Sequence, residues 1–168
     1  DQEQTQSIQA DRLRLDTAVD DQGRLYPRQI FADGQLVRAS DGQQTLVART
    51  IHAILAPAAA SGDATTQPTA RIVLEKLIAS DSAEYSRADG QRAAADRIEV
   101  VQQGDQPTIT LLGNASIGDG NNILHGPHVQ VLTDQQQARV IGAGSLQAMV
   151  ETQAGTPPRP LTVEWSRD

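Results

Sequence analysis

The residues best equipped for chemistry are few, and their spacing argues against using them for it. His125-Gly126-Pro127-His128 brings two imidazoles close together, but no nearby carboxylate completes a zinc set. This pair reads as structural, on a corner beside a Gly-Pro turn. His52, between Ile51 and Ala53, is expected on the outer face of a strand. Asp20-Asp21 is a carboxylate pair in turn-forming sequence, where Asp caps the backbone. Glycoside hydrolysis would need two carboxyls facing across a cleft. Gln135-Gln136-Gln137 reads as a solvated turn. The chain carries no G-x-S-x-G elbow, no P-loop and no H-E-x-x-H pattern. With no cysteine, disulfides, thiolate metal sites and cysteine nucleophiles are excluded. We expect no catalytic residue, no cofactor and no metal, and hence no enzyme.

Composition narrows the partners further. The 168 residues are enough for one domain with a core and carry a formal net charge of -7. Nucleic-acid affinity is mostly cationic neutralisation of phosphate, so nucleic acid is not an expected partner. Attraction to an anionic membrane surface is disfavoured for the same reason. No apolar run reaches the roughly 18 residues of a spanning helix. The start at Asp1 rather than Met fits a processed chain and is compatible with a removed export signal. Aromatics make up only 2% of residues. The interior must therefore be built from small aliphatics, giving a core that is thin or incompletely filled.

Two apolar signatures organise the chain. The first reads Ile8-x-Ala10-x-x-Leu13-x-Leu15, Leu46-x-Ala48-x-x-Ile51-x-Ala53, Ala93-x-Ala95-x-x-Ile98-x-Val100 and Leu124-x-Gly126-x-x-Val129-x-Val131. Strand side chains alternate with period 2, so each copy slips by one residue at its centre. That slip predicts a β-bulge that bends the strand while both halves keep facing one core. The second signature keeps strict period 2: Ile30-x-Ala32-x-Gly34-x-Leu36, Leu77-x-Ala79-x-Asp81-x-Ala83, Leu111-x-Gly113-x-Ala115-x-Ile117 and Val140-x-Gly142-x-Gly144-x-Leu146. Small residues at mid-strand imply close approach of another backbone, or space. Asp81 is the anomaly, placed inward by this pattern. An unpaired buried carboxylate is costly, so it is expected at a solvated sheet mouth or beside an arginine.

The signatures alternate along the chain, which makes them an internal repeat with variable connections. Gly-Asp turns around residues 20–23, 40–42, 88–90 and 118–122 predict hairpins and antiparallel pairing. Ala93-Ala94-Ala95-Asp96-Arg97 has helical propensity, but its alignment with the other corners makes it strand. Ala56 to Thr69 is expected to be a long mobile surface loop. We expect one domain over residues 1–154, and over 155–168 a Pro-rich linker with the start of a further strand.

On these residues the chain resembles the OstA/LptA superfamily of lipopolysaccharide-transport domains. The resemblance rests on Leu112-Gly113-Asn114-Ala115-Ser116-Ile117 and on the "A-D-x-aliphatic-x-aliphatic" strands Ala95-Asp96-Arg97-Ile98-Glu99-Val100 and Ala10-Asp11-Arg12-Leu13-Arg14-Leu15. It covers roughly residues 7–150. It implies an all-β fold with almost no helix: an antiparallel β-jellyroll, slanted and open, with two sheets wrapped around a groove. It also implies a periplasmic protein of outer-membrane biogenesis in Gram-negative cells. Any attachment to the inner or outer membrane would lie in segments outside this chain. The implied partners are lipopolysaccharide, through its lipid A acyl chains, and other OstA-like domains by edge-strand addition, with a homo-oligomer among the options. The expected groove lining is Leu13, Leu15, Ile30, Leu36, Ile51, Ile98, Val100, Ile117, Val129, Val131 and Leu146. The second repeat, with Asp81, Ala83 and Ala93, departs from the family pattern and is expected to be the loosest part. Two rivals remain at this point: a structural self-assembly module with a filled groove, and a glycan-acting parallel β-helix.

Overall fold

The computed structural model describes residues 6–58, 72–103, 106–132, 137–151 and 157–166. The described residues contain eleven strands and no helix. In chain order they are β1 (Ser7–Gln9), β2 (Arg12–Val19), β3 (Leu25–Ser40), β4 (Gln44–Pro57), β5 (Ile72–Arg87), β6 (Arg92–Gln103), β7 (Gln106–Gly118), β8 (Ile123–Leu132), β9 (Gln137–Val140), β10 (Gly144–Val150) and β11 (Arg159–Trp165). Most of the expected 56–69 loop and the triplet Gln135–Gln137, except Gln137 itself, lie outside the described residues.

Every pairing is antiparallel, and hydrogen bonds join all the strands into one sheet in the order β1-β3-β4-β5-β6-β7-β8-β10-β11. β2 adds to β3 and β9 adds to β8. This antiparallel order removes the β-helix, whose rungs must run parallel. The expected open two-sheet wrap is made by one continuous sheet folded into two halves.

The fold line runs where the phase slips. Register shifts fall between Asp33 and Val37, Val47 and Thr50, Ser80 and Ala83, Ala94 and Arg97, and Leu112 and Ala115. These bulges bend every central strand at one level. The first half holds β1, the C-terminal part of β3 and the strand segments in register with it through β10 and β11. The second half holds β2, the N-terminal part of β3 and the matching segments through β9. At the two ends of the sheet the corner strand breaks outright, into β1 with β2 and β9 with β10.

Both halves turn one face inward. Leu46, Ala48, Ile51 and Ala53 are all buried, as the slipped signature requires, and so are Ala93, Ala95 and Ile98. With Val37, Ala79, Ala83, Leu111, Ala115 and Val129 they make the central cluster. Four hairpins close with an aspartate that accepts backbone N–H bonds within its own turn. Asp20 takes those of Gln22 and Arg24, Asp41 those of Gln43 and Gln44, Asp89 that of Gln91, and Asp119 those of Asn121 and Asn122. β11, beyond the proline-rich stretch, pairs along its length with β10. Its Trp165 donates an indole hydrogen bond to the Gly142 carbonyl at 3.0 Å.

Three expectations are corrected along the strands of the second signature. In β3 the bulge takes in Gly34, Gln35 and Leu36, so Val37 is fully buried and Leu36 points out, 60% exposed. In β5 the chain passes through left-handed conformations at Asp81 (φ 66°) and Ser82 (φ 65°), and both are exposed. Asp81 is therefore outside the core, where a residue that tolerates positive φ suits the bulge. The second repeat is tight around Ala79 and Ala83, whereas its Ala93 borders an open space between the halves. Ala79 and Ala83 are completely buried, because small side chains let the two halves close over them.

Candidate functional site

The inner face divides into a packed centre and less filled ends. Of the expected lining, Ile51, Ile98 and Val129 are core residues in close contact across the fold. Val100, Ile117 and Val131 are partly buried against that core. Ile30 and Leu146 are half-buried. Leu13 pairs with Ala32 and Leu15 with Ile30, which puts both on the inner face. They belong to β2 at the sheet edge, however, and stay 61% and 52% exposed. Leu36 lies on the outer side and takes no part.

One opening between the halves has a volume of about 340 Å³. Tyr85, Ala93, Ile117, Leu124 and Leu146 line it from the first half, and Val131 and Ala138 from the second. It therefore gathers Ile117, Val131 and Leu146 from the expected set. Leu124 and Ala93 stood at inner positions of the slipped signature and could have been read from it. Tyr85 and Ala138 carry no sequence signal beyond their alternation with Ala83 and Val140. A broader opening lies at the other end of the sheet, bounded by β2, β3 and β4 residues including Leu13, Ala32 and Ile51.

No buried polar or charged side chain is present among the described residues, so the interior offers an apolar guest mostly aliphatic contact, with the Tyr85 ring beside it. Polar groups gather at the rim of the opening beside Tyr85: Gln91, Arg92, Asp119 and Asn122. Asp119 is held below the ordinary carboxylate range by the backbone N–H of Asn122, then by that of Asn121 and by the Asn122 side chain. The Tyr85 hydroxyl donates to Gln44 Oε1 at 2.7 Å, and partial burial pushes its pKa up.

The outer face carries an ordered cluster around Phe31. The ring of His52 stacks on Phe31 at 4.0 Å between centroids, and the Arg14 guanidinium lies 4.1 Å over the Phe31 ring. His52 Nε2 is 3.2 Å from Gln29 Oε1. Burial lowers the His52 pKa, Arg14 and Lys76 lower it further, and Asp16 opposes them. His125 and His128 stand on β8 with their neighbours Ser116 and Leu112 opposite. Among the described residues, no three His, Asp or Glu side chains come together in a group able to hold a metal ion. No helix among them is long and apolar enough to cross a membrane.

Compared by sequence, the chain matches no family model and no curated protein. Compared by structure, it is similar to LptH of Pseudomonas aeruginosa, described as the LptA-homologous periplasmic component of the conserved lipopolysaccharide transport device. The TM-score is 0.54 at 18% identity, and the match covers 97% of this chain and 96% of that one. At that identity the likeness speaks for the fold alone: this chain has an antiparallel β-jellyroll similar to that of LptH, from one end of the sheet to the other.

Proposed function

We propose that this chain is a non-enzymatic periplasmic domain of lipopolysaccharide transport, which holds lipid A acyl chains between the two halves of its sheet on their way to the outer membrane. The observation that carries this reading is the aliphatic opening between the halves, in a fold matched over nearly its whole length by a periplasmic transport component. Each methylene buried there contributes about 0.8 kcal/mol, so a chain can be held without polar contacts. Neighbouring domains of the same fold would pair with the free strands at the two ends of the sheet, β1 and β2 at one and β9 and β11 at the other.

A photo-crosslinking residue at Ile117 or Leu146 tests the reading. Exposure to lipopolysaccharide should give lipid adducts at these positions and none at Glu84 on the outer face. Adducts at Glu84 alone would end it. Ile98 is a poor site for the probe, because it is buried in the packed centre. A self-assembly module with a filled groove is the second reading, favoured by exposed Leu13 and Leu15 at one edge and exposed Leu161 and Val163 at the other. Association without any groove adduct would decide for it.

A further inference from the structure

We infer that Tyr85 is the stop at the β5 end of the opening it lines and sets the length of aliphatic chain the domain accepts. The inference rests on the proposed lipid-holding role and adds a ruler to it. In sheet order the opening runs from β5 across β6, β7 and β8 to β10, and Tyr85 is the one residue that β5 contributes to its wall. Tyr85 is also its one aromatic residue. Register places Tyr85 opposite Leu46 on β4 and Ala93 on β6, both buried, so its ring stands on the inner face. Beyond it, toward β4 and β3, the space is occupied by Leu46, Ala48 and Val37 of the core.

The ring is tethered as well as placed. Its hydroxyl donates to Gln44 on the adjacent strand at 2.7 Å, which ties the ring to β4, on the side away from β6. At the other end the wall finishes at Leu146 on β10. Leu146 pairs with Val163 of β11, which shares its face and stays exposed. The opening is thus closed by an aromatic ring at β5 and continues onto an uncovered apolar face at β11. A chain entering from the β11 side meets aliphatic side chains until its terminus reaches Tyr85, and further methylenes then have no wall to bury against.

The test is a calorimetric titration of the protein with n-alkyl maltosides from octyl to tetradecyl, each below its micelle concentration. Affinity should rise by up to about fourfold per added methylene and then level off at one chain length. Tyr85→Ala should move that plateau to longer chains. Tyr85→Leu, which keeps an apolar side chain at the site if the alanine variant folds poorly, should move it the same way by less. Tyr85→Phe should leave it in place, because the ring remains. A plateau unmoved in folded Tyr85→Ala and Tyr85→Leu overturns the ruler while leaving the lipid-holding role intact. Absence of binding by any chain overturns both.

Discussion

The carboxylate of Asp96 on β6 occupies the space that a side chain on Gly113 of β7 would need. Gly113 has φ 73°, and its neighbour Asn114, at φ 46°, donates its side-chain amide to Asp96 at 3.2 Å. The same relationship recurs two repeats earlier. An ideal Cβ on Gly34 would lie 2.6 Å from Asp11 Oδ2, which also accepts the backbone N–H of Gln35 at 2.8 Å. The Ala-Asp pairs of the slipped signature thus brace the bulge of the facing strand. Gly113→Ala should cost about 1–3 kcal/mol, from the left-handed backbone and the displaced carboxylate. Urea denaturation should show this loss, and a smaller one when Asp96→Ala is already in place. Equal losses in both backgrounds would remove Asp96 from the explanation.

Leu111 and Leu36 make a matched pair for the inner and outer faces. Leu111 is fully buried in the central cluster, so Leu111→Ala should lower stability by about 2–5 kcal/mol. Leu36→Ala should stay within about 0.5 kcal/mol, because its side chain already meets water. Denaturation midpoints of the two variants check the placement, and a costly Leu36→Ala would contradict it.

His52 should give the fold a pH dependence of defined sign. Its folded pKa lies below the ordinary 6.5, so the unfolded chain takes up the proton first as pH falls. Stability contributed by the neutral ring is complete above 6.5 and is lost as pH falls through the folded value. Asp20 and Asp119 are both held below the ordinary 3.8 and act in a lower window. Thermal unfolding between pH 8 and about pH 5 should therefore show falling stability on acidification. His52→Gln should flatten that slope. A slope unchanged in the variant would assign it elsewhere.

Leu13 and Leu15 test the edges. Under the proposed pairing of neighbouring domains, they lie where a second copy would cover them. Leu13→Asp with Leu15→Asp should abolish concentration-dependent association in sedimentation velocity. The unfolding midpoint should barely move, because both side chains are already exposed. Wild-type protein that stays monomeric across the concentration range would argue against edge pairing altogether.

Much of the architecture is local and was therefore legible in the chain. Strand periodicity is a property of neighbouring residues. The slip from Leu46 and Ala48 to Ile51 and Ala53 thus announced both the bulge and the side that would be buried. The Gly-Asp turns likewise carried their own capping groups. Other features depended on residues far along the chain. Whether Leu36 or Val37 turned inward was settled at a bulge where Asp11, from before β2, binds the backbone of Gln35. Asp81 looked inward by alternation until two left-handed residues took up the slack. Leu13 and Ile51 carry equally apolar side chains, yet one is at an edge and the other is covered by the opposite half. By itself the sequence determined the alternation, the corners and the antiparallel turns. Only the tertiary structure decided which inner positions became solid core, which became the opening beside Tyr85, and which stayed bare at the edges, because burial depends on what the second half of the sheet places across the gap.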